Sequence, residues 1–303
     1  FEIRNLKRKL TFPVVDSLVM ELEQKLYRSV FYSKGDIFIT LEEFKLQLNK
    51  IKTLIIDQHQ SLYVDQIDAL LIRINLFGFH FATLDIRQNS KIHQTVFYDI
   101  VDYYSKSKEN VFPANYFQLA EEEKLEVLST VKGTLDAADF ENEMTRSTIE
   151  SIYAIKTIQE NNGEYGANRY IISNNESALN VMETFALFKL CNWENATVDV
   201  IPLFESVDDL HNAHLAMEKL YTNPEYVQHL QNRNNKQTIM LGFSDGTKDG
   251  GYLMANWSIY KAKEALTEMS RKYGIDAIFF DGRGGPPARG GGKTHKFYAS
   301  LGP

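Results

Sequence analysis

The feature that most constrains the fold of this 303-residue chain is an alternation of short apolar runs with longer amphipathic stretches. The runs have the length of buried strands, and the stretches between them have helical periodicity. Strands that alternate with helices in this way indicate parallel βα units, so we expect an α/β fold. The five predicted strands are FATLDIR (81–87), RYIIS (169–173), TVDVIPLFES (197–206), TIMLGFS (238–244) and DAIFFDG (276–282).

Helix start signals predict that helices dominate the chain overall. Thr40 and Glu43 form a capping-box pattern, in which each side chain bonds a backbone amide of the other residue. Ser206 and Asp209 form a similar pattern with Asp in the place of Glu. Residues 249–273 are predicted to form one long helix.

The predicted elements divide the chain into two parts. Residues 1–80 are expected to form a helical N-terminal part. Residues 81–303 carry the five predicted strands, and residues 105–147 within them are expected to form a helical insertion outside the sheet.

Composition and charge exclude several classes of function. The net charge of −7 argues against general binding of nucleic acids. No apolar run approaches the ~20 residues of a membrane-spanning helix, so we expect no membrane partner. The single cysteine, Cys191, excludes an internal disulfide and is typical of a reducing, cytoplasmic location.

Charged residues that could perform chemistry stand at the carboxyl ends of the predicted strands. Arg87, Glu205, Asp245 and Arg283 each stand at or directly after the end of a different run. In a (β/α) barrel these ends form one rim, where the active site is built. Glu205 and Asp245 are hard oxygen ligands suited to Mg²⁺ or Mn²⁺, and the arginines are forked donors suited to phosphate.

The last predicted strand is followed by a basic loop that suits an anion. The stretch FFDGRGGPPARGGGKTH (279–295) contains six glycines together with Arg283 and Arg289. The glycines allow backbone amides to approach an anion closely. Lys248 lies three residues after Asp245, near the start of a predicted helix. A metal, arginines and a glycine-rich loop together indicate a site for a small phosphorylated acid.

Each of these residues also has a structural interpretation, which the sequence leaves open. Glu205 and Asp245 could cap the helices that follow them, since carboxylates commonly do so. Arg87 could pair with Asp85 or with a helix carboxylate, and the glycine-rich loop could be a plain connection. The pattern His211-x-x-His214 lacks a third ligand nearby in the sequence, which disfavours a zinc site.

The motifs resemble those of the phosphoenolpyruvate carboxylase family. The similarity extends from about residue 40 to the end of the chain. Its most characteristic segment is FSDGTKDGGYLMANWSIYKAKEAL (243–266) followed by FFDGRGGPPARGGGKTH (279–295), and three further blocks occur in the family order: LDIRQNSKIH (84–93), RYIISNNESALNVMETFALFK (169–189) and VIPLFESVDDLHNA (200–213).

The resemblance implies roles for the charged residues at the strand ends. It implies that Glu205 and Asp245 hold the divalent metal, Mg²⁺ or Mn²⁺. It implies that Arg87 and Arg283 bind the phosphate of phosphoenolpyruvate, with Arg283 on a mobile GRGG loop. Lys248 would assist catalysis at the same anionic site.

The resemblance also implies a carbon dioxide pocket and an inhibitor site. Leu203 and Met240 would line the apolar pocket that holds CO₂. Arg289 falls where the family contacts an acidic amino acid that acts as a feedback inhibitor. One departure is Asp281, which stands where the family normally has a histidine; it could anchor the loop that follows.

The activity and fold that the resemblance implies are those of a cytoplasmic, carbon-dioxide-fixing lyase. Phosphoenolpyruvate and bicarbonate would give oxaloacetate and phosphate, in an enzyme that is usually a homotetramer. The fold would be an incomplete TIM-like (β/α) barrel with many additional helices, since five predicted strands stand where a barrel has eight. The family's catalytic histidine lies in a block of the type TAHPTE, which this sequence does not contain. We therefore expect an internal fragment that is inactive alone; a non-catalytic module that binds a phosphorylated metabolite or an acidic amino acid is the alternative.

Overall fold

Helices form most of the structure. The computed structural model describes residues 2–32, 39–107, 109–282 and 293–299. The chain divides into two compact units: Phe1–Leu84 with Lys156–Ala167, and Asp85–Ile155 with Asn168–Pro303. The helices of the described residues are α1 (Glu2–Lys9), α2 (Val15–Phe31), α3 (Leu41–Gln58), α4 (Val64–Phe77), α5 (Ser90–Ser107), α6 (Glu121–Thr130), α7 (Glu143–Asn162), α8 (Ala178–Leu190), α9 (Val207–Tyr221), α10 (Pro224–Asn232), α11 (Ser244–Lys272) and α12 (Thr294–Ala299).

In the first unit, α1 to α4 share one apolar core. Helix α3 buries Leu48, Ile51 and Ile55 at helical spacing, so that one stripe of the helix faces its neighbours. The predicted N-cap of α3 is confirmed, because the Thr40 hydroxyl accepts the Glu43 N–H at 3.1 Å. The Glu43 carboxylate is bonded by Lys25 of α2 at 2.6 Å, and this ion pair ties the two helices together.

The second unit contains a parallel sheet, which confirms the α/β class. The strands lie in chain order, β1-β2-β3-β4-β5, and every neighbouring pair is parallel. Parallel neighbours require crossover connections, and the intervening helices provide them. The strands are β1 (Asp85–Asn89), β2 (Arg169–Ser173), β3 (Asp199–Phe204), β4 (Lys236–Gly242) and β5 (Asp276–Gly282).

Two predicted element boundaries are wrong by several residues. Strand β1 begins at Asp85 instead of residue 81, because Phe81 has a φ of 61° and forms a turn after α4. Arg87 is therefore the central residue of β1 and not its last. Helix α11 begins at Ser244 instead of residue 249, and Gly251 interrupts it with a φ of 79°. The predicted start of the helix at residue 249 therefore lies close to the interruption at Gly251.

The two faces of the sheet differ in how they are covered. One face packs against helices and carries buried residues such as Tyr170, Phe204 and Leu241. The other carries a small apolar cluster, in which Met240 packs against buried residues of β2 and β3. At the end of this second face, Phe280 of β5 leaves 55% of its surface exposed. We call this second side the open face of the sheet.

The helices of the described ranges also bear on membrane association. Within those ranges, none combines the length and the apolar character that crossing a bilayer requires.

Candidate active site at the carboxyl edge of the sheet

Glu205 stands at the carboxyl edge of the sheet, directly after the last residue of β3. Its side chain is 18% exposed. The residue after it, Ser206, is the N-cap of α9: its hydroxyl accepts the Asp209 N–H at 3.0 Å, and the Asp209 carboxylate accepts the Ser206 N–H at 3.1 Å. This confirms the predicted capping box and assigns the N-cap of α9 to Ser206.

Arg87 reaches Glu205 across β2. An Nη of the guanidinium donates to Glu205 Oε1 at 3.1 Å, although the two residues are 118 positions apart. The Asp85 carboxylate instead pairs with Arg169 at 2.9 Å. The observed partner of Arg87 is thus a carboxylate at a strand end, and neither Asp85 nor a helix carboxylate, which were the two pairings left open by the sequence. A predicted phosphate ligand and a predicted metal ligand therefore meet at this edge.

Gly242 and Gly246 allow the backbone of the segment after β4 to lie close to Glu205. A Cβ at Gly242, the last residue of β4, would lie 3.0 Å from Glu205 Cα and 3.1 Å from the Phe204 carbonyl oxygen. A Cβ at Gly246 would lie 3.4 Å from the Glu205 carbonyl oxygen. The close approach of these two backbones explains why position 242 has no side chain. It also brings the first turn of α11 next to Glu205.

Two of the predicted charged residues belong to that first part of α11. The backbone of Asp245 lies in the first turn of the helix, whereas its side chain lies outside what the structure describes. Lys248 follows one turn later and is exposed. Arg283 and Arg289 also lie outside the described residues.

An apolar wall lies beside Glu205 on the open face. Leu203 and Met240 are register partners in β3 and β4. Leu203 is 3% exposed and packs with Ile171, Ile201 and the partly buried Met240. Because side chains alternate along a strand, Leu203 and Glu205 project from the same face of β3. The edge therefore combines charged groups with an adjoining apolar surface.

Asp281 lies on the opposite, helix-covered side of the sheet. Lys263 of α11 donates to its Oδ2 at 2.8 Å. Asp281 pairs in register with the buried Leu241, and the residue before it, Phe280, belongs to the open face. The Asp281 carboxylate thus contacts a helix and has a positively charged partner beside it.

The strongest pKa shifts fall away from this edge. Burial lowers the pKa of His93 to about 4, and its ring nitrogens lie 3.0 Å from the Tyr170 hydroxyl and 2.8 Å from the Thr184 hydroxyl. Burial raises the pKa of Glu183 to about 8, with opposing contributions from Asn180 and Lys124. These groups belong to the helical layer behind the sheet, where they are enclosed by packing.

Of the two residues predicted to hold a divalent metal, the structure describes the side chain of Glu205. Among the described residues, no three or more histidine, cysteine or acidic side chains gather into a metal-binding group, and this includes His211 and His214. Glu205 supplies one half-buried carboxylate beside a close-packed glycine backbone. Mg²⁺ is usually bound through one or two carboxylates with several waters, so this donor set fits such an ion.

Three contributors to the edge were not found from the sequence. Gly242 and Gly246 are the first and last residues of the segment GFSDG, and their spacing around Asp245 could have indicated a close backbone approach. Asp249 accepts the Val207 N–H at 3.2 Å. No local pattern signals that bond, because it joins two different helices.

Comparison with known proteins gives a consistent result. The sequence model of the family described as phosphoenolpyruvate carboxylase matches residues 7–300. A phosphoenolpyruvate carboxylase of Nitrosomonas eutropha (strain DSM 101675 / C91 / Nm57) is 36% identical over 251 residues, which cover 79% of this chain and 26% of that protein. The chain thus spans about a quarter of the length of this curated relative.

Proposed function

Because this chain belongs to the phosphoenolpyruvate carboxylase family, we propose that it is part of an enzyme that forms oxaloacetate and phosphate from phosphoenolpyruvate and bicarbonate. The proposal rests on the hydrogen bond of 3.1 Å from the Arg87 guanidinium to Glu205 Oε1, at the carboxyl edge of a parallel sheet. Active sites of parallel α/β sheets lie at this edge.

The arginines would handle the phosphoryl group. Bicarbonate attacks phosphorus, and the products are carboxyphosphate and the enolate of pyruvate. Arg87 and Arg283 bind the phosphoryl oxygens through forked N–H donors and neutralise their charge during transfer. Lys248, in the first part of α11, adds a further positive charge to the same site. Arg87 is half-exposed, so part of its guanidinium remains accessible to a ligand while it contacts Glu205.

Glu205 and Asp245 would hold the divalent cation, Mg²⁺ or Mn²⁺. The carboxylate of Glu205 is oriented for this by Arg87 and by the backbone of Gly242. When bound, such an ion supplies positive charge for an oxyanion that develops in the reaction.

The apolar wall would keep water away during the second half of the reaction. Carboxyphosphate releases CO₂, and the enolate carbon attacks it to form oxaloacetate. Leu203 and Met240 exclude water beside Glu205 and provide an apolar surface for CO₂. Arg289 would contact an acidic amino acid that inhibits the enzyme.

The sheet is best interpreted as part of a larger TIM-like (β/α) barrel. Its five strands are parallel and follow chain order, as barrel strands do, and its open face exposes Phe280. We infer that further strands of a longer polypeptide close the barrel. Residues 1–80 would form its helical N-terminal part, residues 81–303 the partial barrel and residues 105–147 a helical insertion.

The isolated chain is proposed to be inactive. It covers 26% of its curated relative and contains no block of the TAHPTE type, which carries the family's catalytic histidine. The longer polypeptide that contains it, here called the full-length protein, is proposed to act in the cytoplasm as a homotetramer.

The test is oxaloacetate formation, measured through NADH oxidation by malate dehydrogenase with Mg²⁺, bicarbonate and phosphoenolpyruvate present. The full-length protein should turn over, and omission of any of the three components should stop it. Binding of phosphoenolpyruvate without turnover by the full-length protein would instead support a non-catalytic module. Turnover by the 303-residue chain alone would overturn the proposal that it is an inactive part.

A further inference from the structure

We propose that Asp249 is a positioning residue, which fixes Glu205 relative to the first part of α11. The inference rests on the proposed function, because Glu205 is the metal ligand in that proposal. Asp249 would contact neither substrate nor metal and would act through the backbone that carries Glu205.

The first observation is a hydrogen bond between two helices. Asp249 Oδ2 accepts the N–H of Val207 at 3.2 Å. Val207 is the first residue of α9 and lies two residues after Glu205. The neighbouring amides of Ser206 and Asp209 are already bonded within α9 by the capping box. Asp249 therefore adds an acceptor from outside, which ties the turn after β3 to α11.

The second observation is close packing around the same turn. A Cβ at Gly250 would lie 3.1 Å from Val207 Cγ2, so the residue after Asp249 packs directly on the residue that Asp249 bonds. Gly251 then has a φ of 79°, which interrupts the helix and favours glycine at this position. The hydrogen bond is thus built into a fixed backbone arrangement.

Residues 242–250 contact residues 204–207 at several points along their length. Gly242 and Gly246 lie against the backbone around Glu205, and Asp249 and Gly250 lie against Val207. Asp245 and Lys248 belong to the same stretch of chain. Any shift of this stretch relative to the turn would therefore change the position of Glu205 relative to both charged residues.

The charge of Asp249 suits this position. A carboxylate is favoured at a helix N-terminus, where backbone N–H groups point outward. One of the two carboxylate oxygens of Asp249, Oδ2, accepts the Val207 N–H at the start of α9.

The test compares three variants of the full-length protein. Asp249→Ala removes the acceptor, and Asp249→Asn keeps an acceptor oxygen but removes the charge. The control is Asp136→Ala, which removes a comparable bond at a short 3-10 helix, where Asp136 Oδ1 accepts the Ala138 N–H at 2.9 Å. Two quantities are measured: amide hydrogen exchange of a peptide covering residues 205–209, and the Mg²⁺ concentration that gives half of the maximal carboxylase rate.

We expect Asp249→Ala to speed exchange in residues 205–209 and to raise the half-activating Mg²⁺ concentration about tenfold, the lower end of the range for groups that orient metal ligands. Asp249→Asn should restore both quantities to within about twofold of the wild-type values, because the amide oxygen can accept the same N–H. Asp136→Ala should change neither.

Two results of the carboxylase assay would overturn the inference. One is an Asp249→Ala protein with wild-type Mg²⁺ dependence, whatever its exchange rates, since the bond would then be structural alone. The other is an Asp249→Asn protein as impaired as Asp249→Ala, which would assign the effect to charge. A wild-type protein without carboxylase activity would refute the proposed function, and unchanged exchange in Asp249→Ala would still refute the positioning bond independently.

Discussion

The carboxyl edge of the sheet keeps charged side chains accessible, whereas the helical layer behind the sheet buries its ionisable side chains. At the edge, Arg87 and Glu205 pair at 3.1 Å while the arginine stays half-exposed. In the layer formed by α5 and α8, His93 and Glu183 are buried, with pKa values moved to about 4 and about 8. Burial keeps the layer's groups neutral over part of the pH range, whereas the edge keeps charged groups within reach of a ligand.

The difference shows why a perturbed pKa alone would not have pointed to the candidate site at the carboxyl edge. The largest shifts arise from desolvation inside the helical layer, where Tyr170 and Thr184 satisfy the ring of His93. The proposed chemistry relies on accessible charge and on backbone placement. The following predictions separate the two regions by their effects on rate and on stability.

The largest expected effect is on catalysis at the edge. Arg87→Ala in the full-length protein should lower kcat/KM for phosphoenolpyruvate by roughly 10³-fold, since it removes charge stabilisation from the transferring phosphoryl group. Its free energy of unfolding should change by less than about 1 kcal/mol, because the arginine side chain is about half exposed and water can reach the carboxylate it leaves. Coupled oxaloacetate assays and urea denaturation measure the two quantities.

Arg169→Ala is the matched control for Arg87→Ala. Arg169, the first residue of β2, pairs with Asp85, the first residue of β1, at 2.9 Å and therefore lies at the amino edge of the sheet. It should leave kcat/KM within about threefold of wild type, as removal of an exposed pair does. Equal losses of kcat/KM in the two variants would show that the carboxyl edge matters no more for catalysis than the amino edge.

A second, smaller effect is expected at Gly242, where the backbone of β4 lies against that of Glu205. Gly242→Ala should cost about 1–3 kcal/mol of unfolding free energy, because its methyl group would lie against the backbone of Glu205. Activity should fall about a hundredfold, since a displacement of about 1 Å at a reacting group has that effect. Gly274→Ala is the control, because it adds the same methyl group at a helix end where open space surrounds it. It separates the contact with Glu205 from the general strain of replacing a glycine. A Gly242→Ala protein with full activity would show that Glu205 needs no fixed backbone.

The helical layer should affect stability and its pH dependence. The pKa of Glu183 is raised by burial to about 8, so between its ordinary value and about 8 the folded protein binds a proton that the unfolded chain has lost. The contribution of Glu183 to the free energy of unfolding should therefore fall as pH rises through this range, by up to about 1.4 kcal/mol per pH unit.

The interval from pH 7.5 to 8 isolates this contribution. The pKa values of His93 and His229 are lowered to about 4, so both histidines are neutral there in the folded protein, and about a pH unit above the ordinary histidine pKa they are about 90% neutral in the unfolded chain as well. Glu183→Gln should flatten the slope in urea denaturation across that interval and leave kcat unchanged. A slope that persists in the variant would assign the titration to another group.

The smallest expected effect concerns the ion pair of Lys263 and Asp281, whose side chains are 34% and 29% exposed. A double-mutant cycle with Lys263→Ala and Asp281→Ala should give a coupling of about 0.5–1 kcal/mol in unfolding free energy. A coupling near zero would mean that Asp281 stabilises the end of β5 without Lys263. The cycle of Lys261 and Glu264, paired on the solvent side of the same helix, is the control.

The sequence predicted most reliably what neighbouring residues decide. Strands β2 and β5 have the bounds expected from their apolar runs, and the Ser206–Asp209 cap forms as its spacing indicates. Strand β1 was misplaced, because the apolar residues before Asp85 belong to a turn with Phe81 in the left-handed region.

The contacts that build the edge could not be predicted in the same way. The Arg87–Glu205 bond depends on the registers of β1, β2 and β3, and the Asp249–Val207 bond depends on how two helices meet. Both are set by packing over long sequence separations. The family resemblance named Glu205 and Arg87 but did not indicate that they contact each other.

The measurement that tests the account most directly is Mn²⁺ binding to the full-length protein and its Glu205→Gln variant, followed by the electron paramagnetic resonance signal of the free ion. Glutamine keeps the shape of the side chain and its contact with Arg87 while removing the charge that a divalent ion requires. The account predicts binding at least about tenfold weaker in the variant, with an unchanged free energy of unfolding. Equal Mn²⁺ affinity in the two proteins would contradict it, because the carboxyl edge at Glu205 would then not be the metal site.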